Sequence, residues 1–152
     1  MSAIIFFYRF SNFLYRNGLK IPSHILSLFT RFIFSGWIPG SVKAGKNLKL
    51  GYGGLGIVIH SNSEIGQNVT IGQNVTIGRN FGDKLVPKIG DDVYIGAGTV
   101  IFGEIVIGNN VIIGSNSLIN KDIPDNSTVI GNPMRIIKTN RLKKYYELDI
   151  NS

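Results

Sequence analysis

The stretch IGQNVTIGQNVTIG, residues 65–78, repeats itself every six positions. Ile65, Ile71 and Ile77 mark the period, a Gly follows each, and Val69 and Val75 stand two residues ahead of the next Ile. The same count extends outward, to Ile59, Leu50, Ala44 and Ile38 on one side and to Ile89, Ile95, Ile101, Ile107, Ile113 and Ile119 on the other. Small or β-branched residues hold the position two before the Ile, at Ser63, Val93, Thr99, Ile105, Val111 and Ser117. Six is neither the helical nor the plain strand period. It is the signature of a parallel β-helix, in which each repeat gives one short strand and one turn. The Ile and the small residue before it point inward, and Gly or Asn takes the turn, where positive φ costs those residues little. Three strands close a triangular coil. The expected inner stacks are Ile59, Ile77, Ile101 and Ile119; Ile65, Ile89 and Ile107; and Ile71, Ile95 and Ile113.

Two steps break the count. Leu50 to Ile59 takes nine residues, through Gly51-Tyr52-Gly53-Gly54-Leu55-Gly56, and Ile77 to Ile89 takes twelve, through a polar run from Arg79 to Lys88. Insertions in a solenoid map to surface loops, often on the binding face. His60 follows the first insertion and lies one coil below Gly78, where the second begins. Tyr52 and Asp83, one in each insertion, are the candidates for acceptor contacts, against the plainer reading of solvated loop residues.

The composition narrows the chemistry. A chain of 152 residues has room for one domain with a modest core. With no Cys, disulfide scaffolds, thiolate catalysis and Cys-ligated metal centres are excluded. Two histidines, His24 and His60, exclude any centre that needs a histidine cluster within one chain, so no metal is expected. The formal charge is +7, from 16 Lys and Arg against 9 Asp and Glu. The basic residues carry no nucleic-acid recognition motif; a polyanionic cofactor or an anionic membrane surface accounts for the charge as well.

Residues 1–36 differ from the rest. Seven of the nine Phe lie between Phe6 and Phe34, and the segment has no acidic residue. Arg9 and Arg16 interrupt the apolar run, which argues against a signal peptide, and the run Ile21 to Thr30 is too short to span a bilayer. Two amphipathic helices are expected, Ala3–Arg16 and Ser23–Phe34, with Ser23 capping the second. Phe6, Phe10, Phe13 and Asn17 share one face of the first, and Ile25, Leu28, Phe29 and Phe32 one face of the second. Packing on the solenoid or on a neighbouring subunit is one reading of these faces. Peripheral contact of residues 1–36 with an anionic membrane is the other. The organisation is thus a helical segment at 1–36, a solenoid at 37–138, and a tail at 139–152 that includes a short helix within Asn140–Ile150.

The repeats, with Tyr52-Gly-Gly-Leu-Gly-Ile-Val-Ile-His60, Tyr94-Ile-Gly-Ala-Gly98 and Ile130-Gly-Asn-Pro-Met-Arg-Ile-Ile137, resemble the hexapeptide-repeat acyltransferases. The branch most resembled is that of serine acetyltransferases and bacterial polysaccharide sugar O-acetyltransferases. The resemblance implies an all-β solenoid, a left-handed parallel β-helix preceded here by two short helices. It further implies a homotrimer, acetyl-CoA as co-substrate in the groove between subunits, and a cytoplasmic enzyme, with contact at the inner face of the membrane as the second reading for residues 1–36. The family transfers acetyl directly, a histidine deprotonating the attacking hydroxyl, and His60 is the residue left for that role. Ala97 matches the position whose amide contacts the thioester or the pantetheine arm, and Gly78 is a second candidate amide by stacking. Ser115, Asn120 and Lys121 match a stretch lining the cofactor groove, and Arg135 and Lys138 match two basic residues near the nucleotide.

Three departures count against L-serine as acceptor. Serine acetyltransferases carry an Asp-His pair where this chain has Tyr52-Gly53, and a His-Pro where it has Val86-Pro87. Their long helical N-terminal region corresponds here to about 36 residues. A sugar hydroxyl of a capsule, O-antigen or similar glycan precursor is therefore the expected acceptor, with L-serine or an amino sugar as the alternatives. β-Helical carbonic anhydrases need three histidines per site, and an ice-binding scaffold needs a flat face without loops.

Overall fold

The computed structural model describes residues 2–82 and 85–148. Among the described residues fourteen short strands follow two helices, α1 (Ala3–Arg16) and α2 (Lys20–Phe34). The strands stack into three parallel sheets, the faces of a prism. Face one stacks Val58–Ile59, Thr76–Gly78, Val100–Phe102 and Leu118–Ile119. Face two stacks Lys43–Ala44, Glu64–Ile65, Lys88–Ile89 and Val106–Ile107. Face three stacks Lys49–Leu50, Thr70–Ile71, Tyr94–Ile95, Ile112–Ile113 and Thr128–Ile130, closed by the antiparallel Arg135–Lys138. The registers are those expected: Ile59 on Ile77 on Ile101 on Ile119, Ile65 on Ile89 on Ile107, and Ile71 on Ile95 on Ile113.

The inward row is the core. Ile59, Ile71, Ile77, Ile95, Ile101, Ile113 and Ile119 are wholly buried, and so are Val69, Val75, Val93 and Val111 two residues before an Ile. Each such side chain is worth about 1.5–3 kcal/mol relative to exposure. The turn residues divide the labour differently from the expectation. Asn68, Asn74, Asp92, Asn110, Asn116 and Asn126 take the positive φ, between 55° and 60°. The Gly after each inward Ile of the repeats does not take positive φ, and most of these glycines answer a steric demand instead. A Cβ on Gly72 would stand 2.6 Å from the Ala97 nitrogen, and one on Gly96 would strike Ser115. Gly78 is the exception, since nothing lies within 4 Å of where its Cβ would be. Coil spacing needs the other glycines; the corner at Gly78 is open because the second insertion leaves the prism there.

Helix α1 has the expected bounds, but α2 begins three residues before the expected Ser23. Ser23 is no cap. Its hydroxyl is buried and donates to the Ser11 carbonyl at 2.9 Å. The helices meet through small polar side chains, Ser11 with Ser23 and Ser27, at 3.0 Å each. Tyr8 and Asn12 tie α1 to the solenoid, the Tyr8 hydroxyl donating to Val42 O at 2.8 Å and Asn12 Nδ2 to Gly40 O at 2.7 Å. Arg9 donates to the carbonyls of Ala44 and Gly45. The faces of Phe6, Phe10 and Phe13 and of Ile25, Phe29 and Phe32 do not pack on the solenoid; all six are exposed.

The tail forms only a 3₁₀ turn, Tyr145–Glu147, and residues 149–152 lie outside the described residues. It runs back along the column of turn residues between faces two and three. Arg141 is buried and donates to Asn110 O and to Lys143 O. The Tyr145 hydroxyl donates to Asn68 O at 3.0 Å, and Tyr146 and Lys144 both reach the Asp92 carboxylate, at 2.9 and 2.8 Å. Burial alone would raise the Asp92 pKa, but hydrogen bonds from Lys144, Asn68 and Tyr146 outweigh it and hold the carboxyl below its usual range.

Candidate functional site

The candidate residues fall on the two edges of face one. Strand Val58–Ile59 delivers His60 to the edge facing face two, where the His60 N–H donates to Ile77 O at 2.9 Å. The register then places Gly78, Phe102 and Asn120 above it in one column, with Lys121 next to Asn120. The opposite edge, at the corner with face three, carries Tyr52, Gln73, Ala97 and Ser115 one above another. The first insertion thus leaves from one edge of face one and the second from the other. Arg135 and Lys138 lie on the closing strand of face three, both exposed. Asp83 lies outside the described residues.

His60 is half-buried, and its Nδ1 accepts the Asn62 N–H at 3.2 Å. With Nδ1 accepting, the neutral ring carries its proton on Nε2. No carboxylate among the described residues hydrogen-bonds the ring. His24 stands on α2 with its ring 6.1 Å from Trp37, away from either column.

At the corner between faces two and three, the N–H groups of Gln67, Asp91 and Asn109 donate to side-chain oxygens of the coil above, at 2.8, 2.8 and 2.6 Å. At the Ala97 corner no such side chain reaches down, and the N–H groups of Gln73, Ala97 and Ser115 all have no hydrogen-bond acceptor among the described residues. The Ala97 carbonyl takes the Asn116 N–H at 2.8 Å. A half-buried unpaired donor is a ready contact for a carbonyl oxygen. Tyr52 takes a left-handed conformation, φ 46°, which turns the phenol into solvent with 83 % of its surface exposed. Phe81, in the second insertion, is fully exposed. The columns also contain Phe102 and Gln73, which the sequence did not single out; their positions eighteen or twenty-four residues from the marked ones were the available signal.

Two hollows of the single chain lie away from His60. One of about 770 Å³ is lined by Arg9, Asn47, Lys49, Asn68, Tyr145 and Tyr146, and one of about 840 Å³ crosses face two from Arg16 to Asp125. The outward rows differ in kind. Face two carries an exposed Lys43–Glu64–Lys88 ladder, with Lys43 Nζ 2.8 Å from Glu64, whose carboxyl is held below its usual range by that hydrogen bond. Face one presents the uncharged row Val58, Thr76, Val100 and Leu118.

A parallel prism of six-residue repeats, three to a coil, with two loops flanking one face, defines the class of left-handed β-helix transferases. The family model "Bacterial transferase hexapeptide (six repeats)" matches residues 87–121. A serine acetyltransferase of Helicobacter pylori is 35% identical over 136 residues, covering 88% of this chain and 79% of that protein. One from Bacillus pumilus is 35% identical over 141 residues, 91% of this chain and 64% of that protein. The crystal structure of serine acetyltransferase from Brucella abortus in complex with coenzyme A superposes with a TM-score of 0.84 at 33% identity, covering 89% of this chain and 54% of that one. The chain belongs to the hexapeptide-repeat acyltransferase family and stands among its serine acetyltransferase-like members. It spans less than two thirds of the Bacillus and Brucella proteins.

Proposed function

We propose that the protein transfers an acetyl group from acetyl-CoA to a hydroxyl, in a site shared between subunits of a trimer. The open column of amides at Gln73, Ala97 and Ser115 is the observation that carries this reading, since direct transfer needs a donor where charge develops on the thioester oxygen. His60 and Ala97 lie on opposite edges of one face, so a single chain does not bring them together. Packing the uncharged outward row of face one against a neighbour joins the His60 edge of one copy to the Ala97 edge of the next. Interface cores are depleted in charge, and the Lys–Glu ladder of face two suits solvent instead. Gly78 and Ser115 then flank the thioester and pantetheine, while Asn120, Lys121, Arg135 and Lys138 line the way to the nucleotide, where exposed cations suit the CoA phosphates.

In the reaction the acceptor oxygen attacks the thioester carbonyl as its proton passes to His60, and CoA leaves as the thiolate. For Nε2 to accept that proton the ring must carry its other proton on Nδ1, which the Asn62 contact opposes. Breaking one neutral hydrogen bond of this kind costs about 0.5–1.5 kcal/mol, small beside the contribution of a general base. Acceptor binding therefore turns the His60 ring or shifts its single proton from Nε2 to Nδ1.

L-Serine is the first acceptor to test, because the relatives are serine acetyltransferases. The sugar hydroxyl is retained as a second reading on one observation. Tyr52-Gly53 and Val86-Pro87 replace both histidine-bearing motifs, and exposed Tyr52 and Phe81 stand at the two edges of face one, as suits a flat ring. Incubation with acetyl-CoA and L-serine, nucleotide sugars or oligosaccharides, read by product mass, decides between them. No acetylated product from any acceptor, with CoA release at the background rate, refutes acetyl transfer.

A further inference from the structure

The helical hairpin turns outward what an amphipathic helix ordinarily buries. Phe6, Phe10 and Phe13 on α1, and Ile25, Phe29 and Phe32 on α2, are about half to four fifths exposed. The rings of Phe6, Phe7 and Phe29 touch in sequence, with centroids 5.8 and 5.9 Å apart, so the two stripes form one continuous surface. Charge is distributed just as unevenly. Residues 1–63 contain seven Lys and Arg and no Asp or Glu, whereas residues 64–152 contain nine of each. The whole net charge of the chain belongs to its first 63 residues. Arg9 is spent on backbone carbonyls of the solenoid, but Arg16, Lys20 and Arg31 are exposed on or between the same two helices, Arg16 at the rim of the face-two hollow and Arg31 over the Trp37 ring.

We infer that this face docks on the surface of an anionic lipid bilayer, with the Phe and Ile side chains in the headgroup–acyl boundary and Arg16, Lys20 and Arg31 against lipid phosphates. Among the described residues no helix is long and apolar enough to cross a membrane, so the contact is interfacial. Charge selects the lipid over the hairpin of a second copy. Two copies joined through the hairpin would confront cations with cations, with no carboxylate on either side to pair them. A bilayer of anionic lipid supplies the opposite charge and an apolar layer in the same plane. The inference does not depend on the acetyl-transfer reading, and its test does not use activity.

The experiment is flotation of the full chain with vesicles of phosphatidylcholine alone and of equal parts phosphatidylcholine and phosphatidylglycerol, at low and high salt. Binding to the anionic vesicles is expected, weakening with salt and weak or absent on the neutral ones. Each exposed cation removed should weaken it about five-fold, so Arg16→Ala with Lys20→Ala costs about 25-fold. Phe10→Ser with Phe32→Ser, both at exposed positions that leave the fold intact, should cost at least about ten-fold. Failure of the chain to float with anionic vesicles at low salt overturns the inference. So does binding that ignores the Phe substitutions, which would mean charge alone. Scattering masses that fall on Phe10→Ser and Phe32→Ser, without vesicle binding by the parent chain, would assign the face to a second copy instead.

Discussion

In the solenoid, Ile71, Ile95 and Ile113 are wholly buried while Thr70, Tyr94 and Ile112 beside them face out; in the hairpin, Ser23, Ser27 and Thr30 are buried while Phe32 is 83 % exposed. Both regions are amphipathic by pattern. Only the solenoid turns its apolar row inward, because a closed prism leaves each strand one inside. A two-helix layer laid on the prism offers a choice of sides. Here short polar side chains let the helices and the solenoid approach closely, through the bonds among Ser11, Ser23 and Ser27 and the Gly40 N–H donated to Ser27 Oγ at 3.2 Å. A helical hydrophobic stripe therefore identifies two faces without saying which one the fold covers.

The comparison can be sharpened by paired substitutions, one in each region. The two histidines give the largest contrast expected. His60→Ala should lower acetyl transfer by ~10²–10⁴-fold with an unchanged melting curve, whereas His24→Ala should leave both unchanged. Near-normal transfer in His60→Ala would remove the base from the proposed reaction. Truncating an apolar side chain comes next. Ile95→Ala, deep in the stack, should cost about 2–5 kcal/mol in denaturant unfolding, and Phe32→Ala less than about 0.5 kcal/mol. Equal losses would mean that something covers the hairpin face in solution. Ser27→Ala, which leaves the Gly40 N–H without its acceptor, should cost about 1–3 kcal/mol, far more than a serine on the outward face. The smallest effect concerns acid. The folded Asp92 pKa lies below its unfolded value, so its stabilisation is full above about pH 4 and is lost as pH falls through the folded value. Asp92→Asn should flatten that part of the stability curve, and melting temperatures against pH for both chains measure it.

These pairs also mark what could be read before the structure. The six-residue count gave the three stacks, their register and both loops, because an inward Ile has no other place to go. It mistook the role of the glycines, since a sequence shows that a side chain is missing but not whether φ or a neighbouring coil forbids it. Helix α1 was legible to the residue, while the start of α2 was not, because Ser23 carries the chemistry of a cap and the packing of a core residue. The two edges of face one became visible only once the register was known, and with them the separation of His60 from Ala97. The tail was opaque, because its contacts join residues as distant as Tyr145 and Asn68.

That tail has a mechanical consequence. A solenoid whose coils touch only their neighbours can fray from either end, one repeat at a time. Between Arg141 at Asn110 and Tyr145 at Asn68, this chain lays a strap across coils that are not adjacent. Peeling the top coil then means releasing the lower ones from the same strap. Unfolding should accordingly become all-or-none where an unstrapped stack would melt as a zipper.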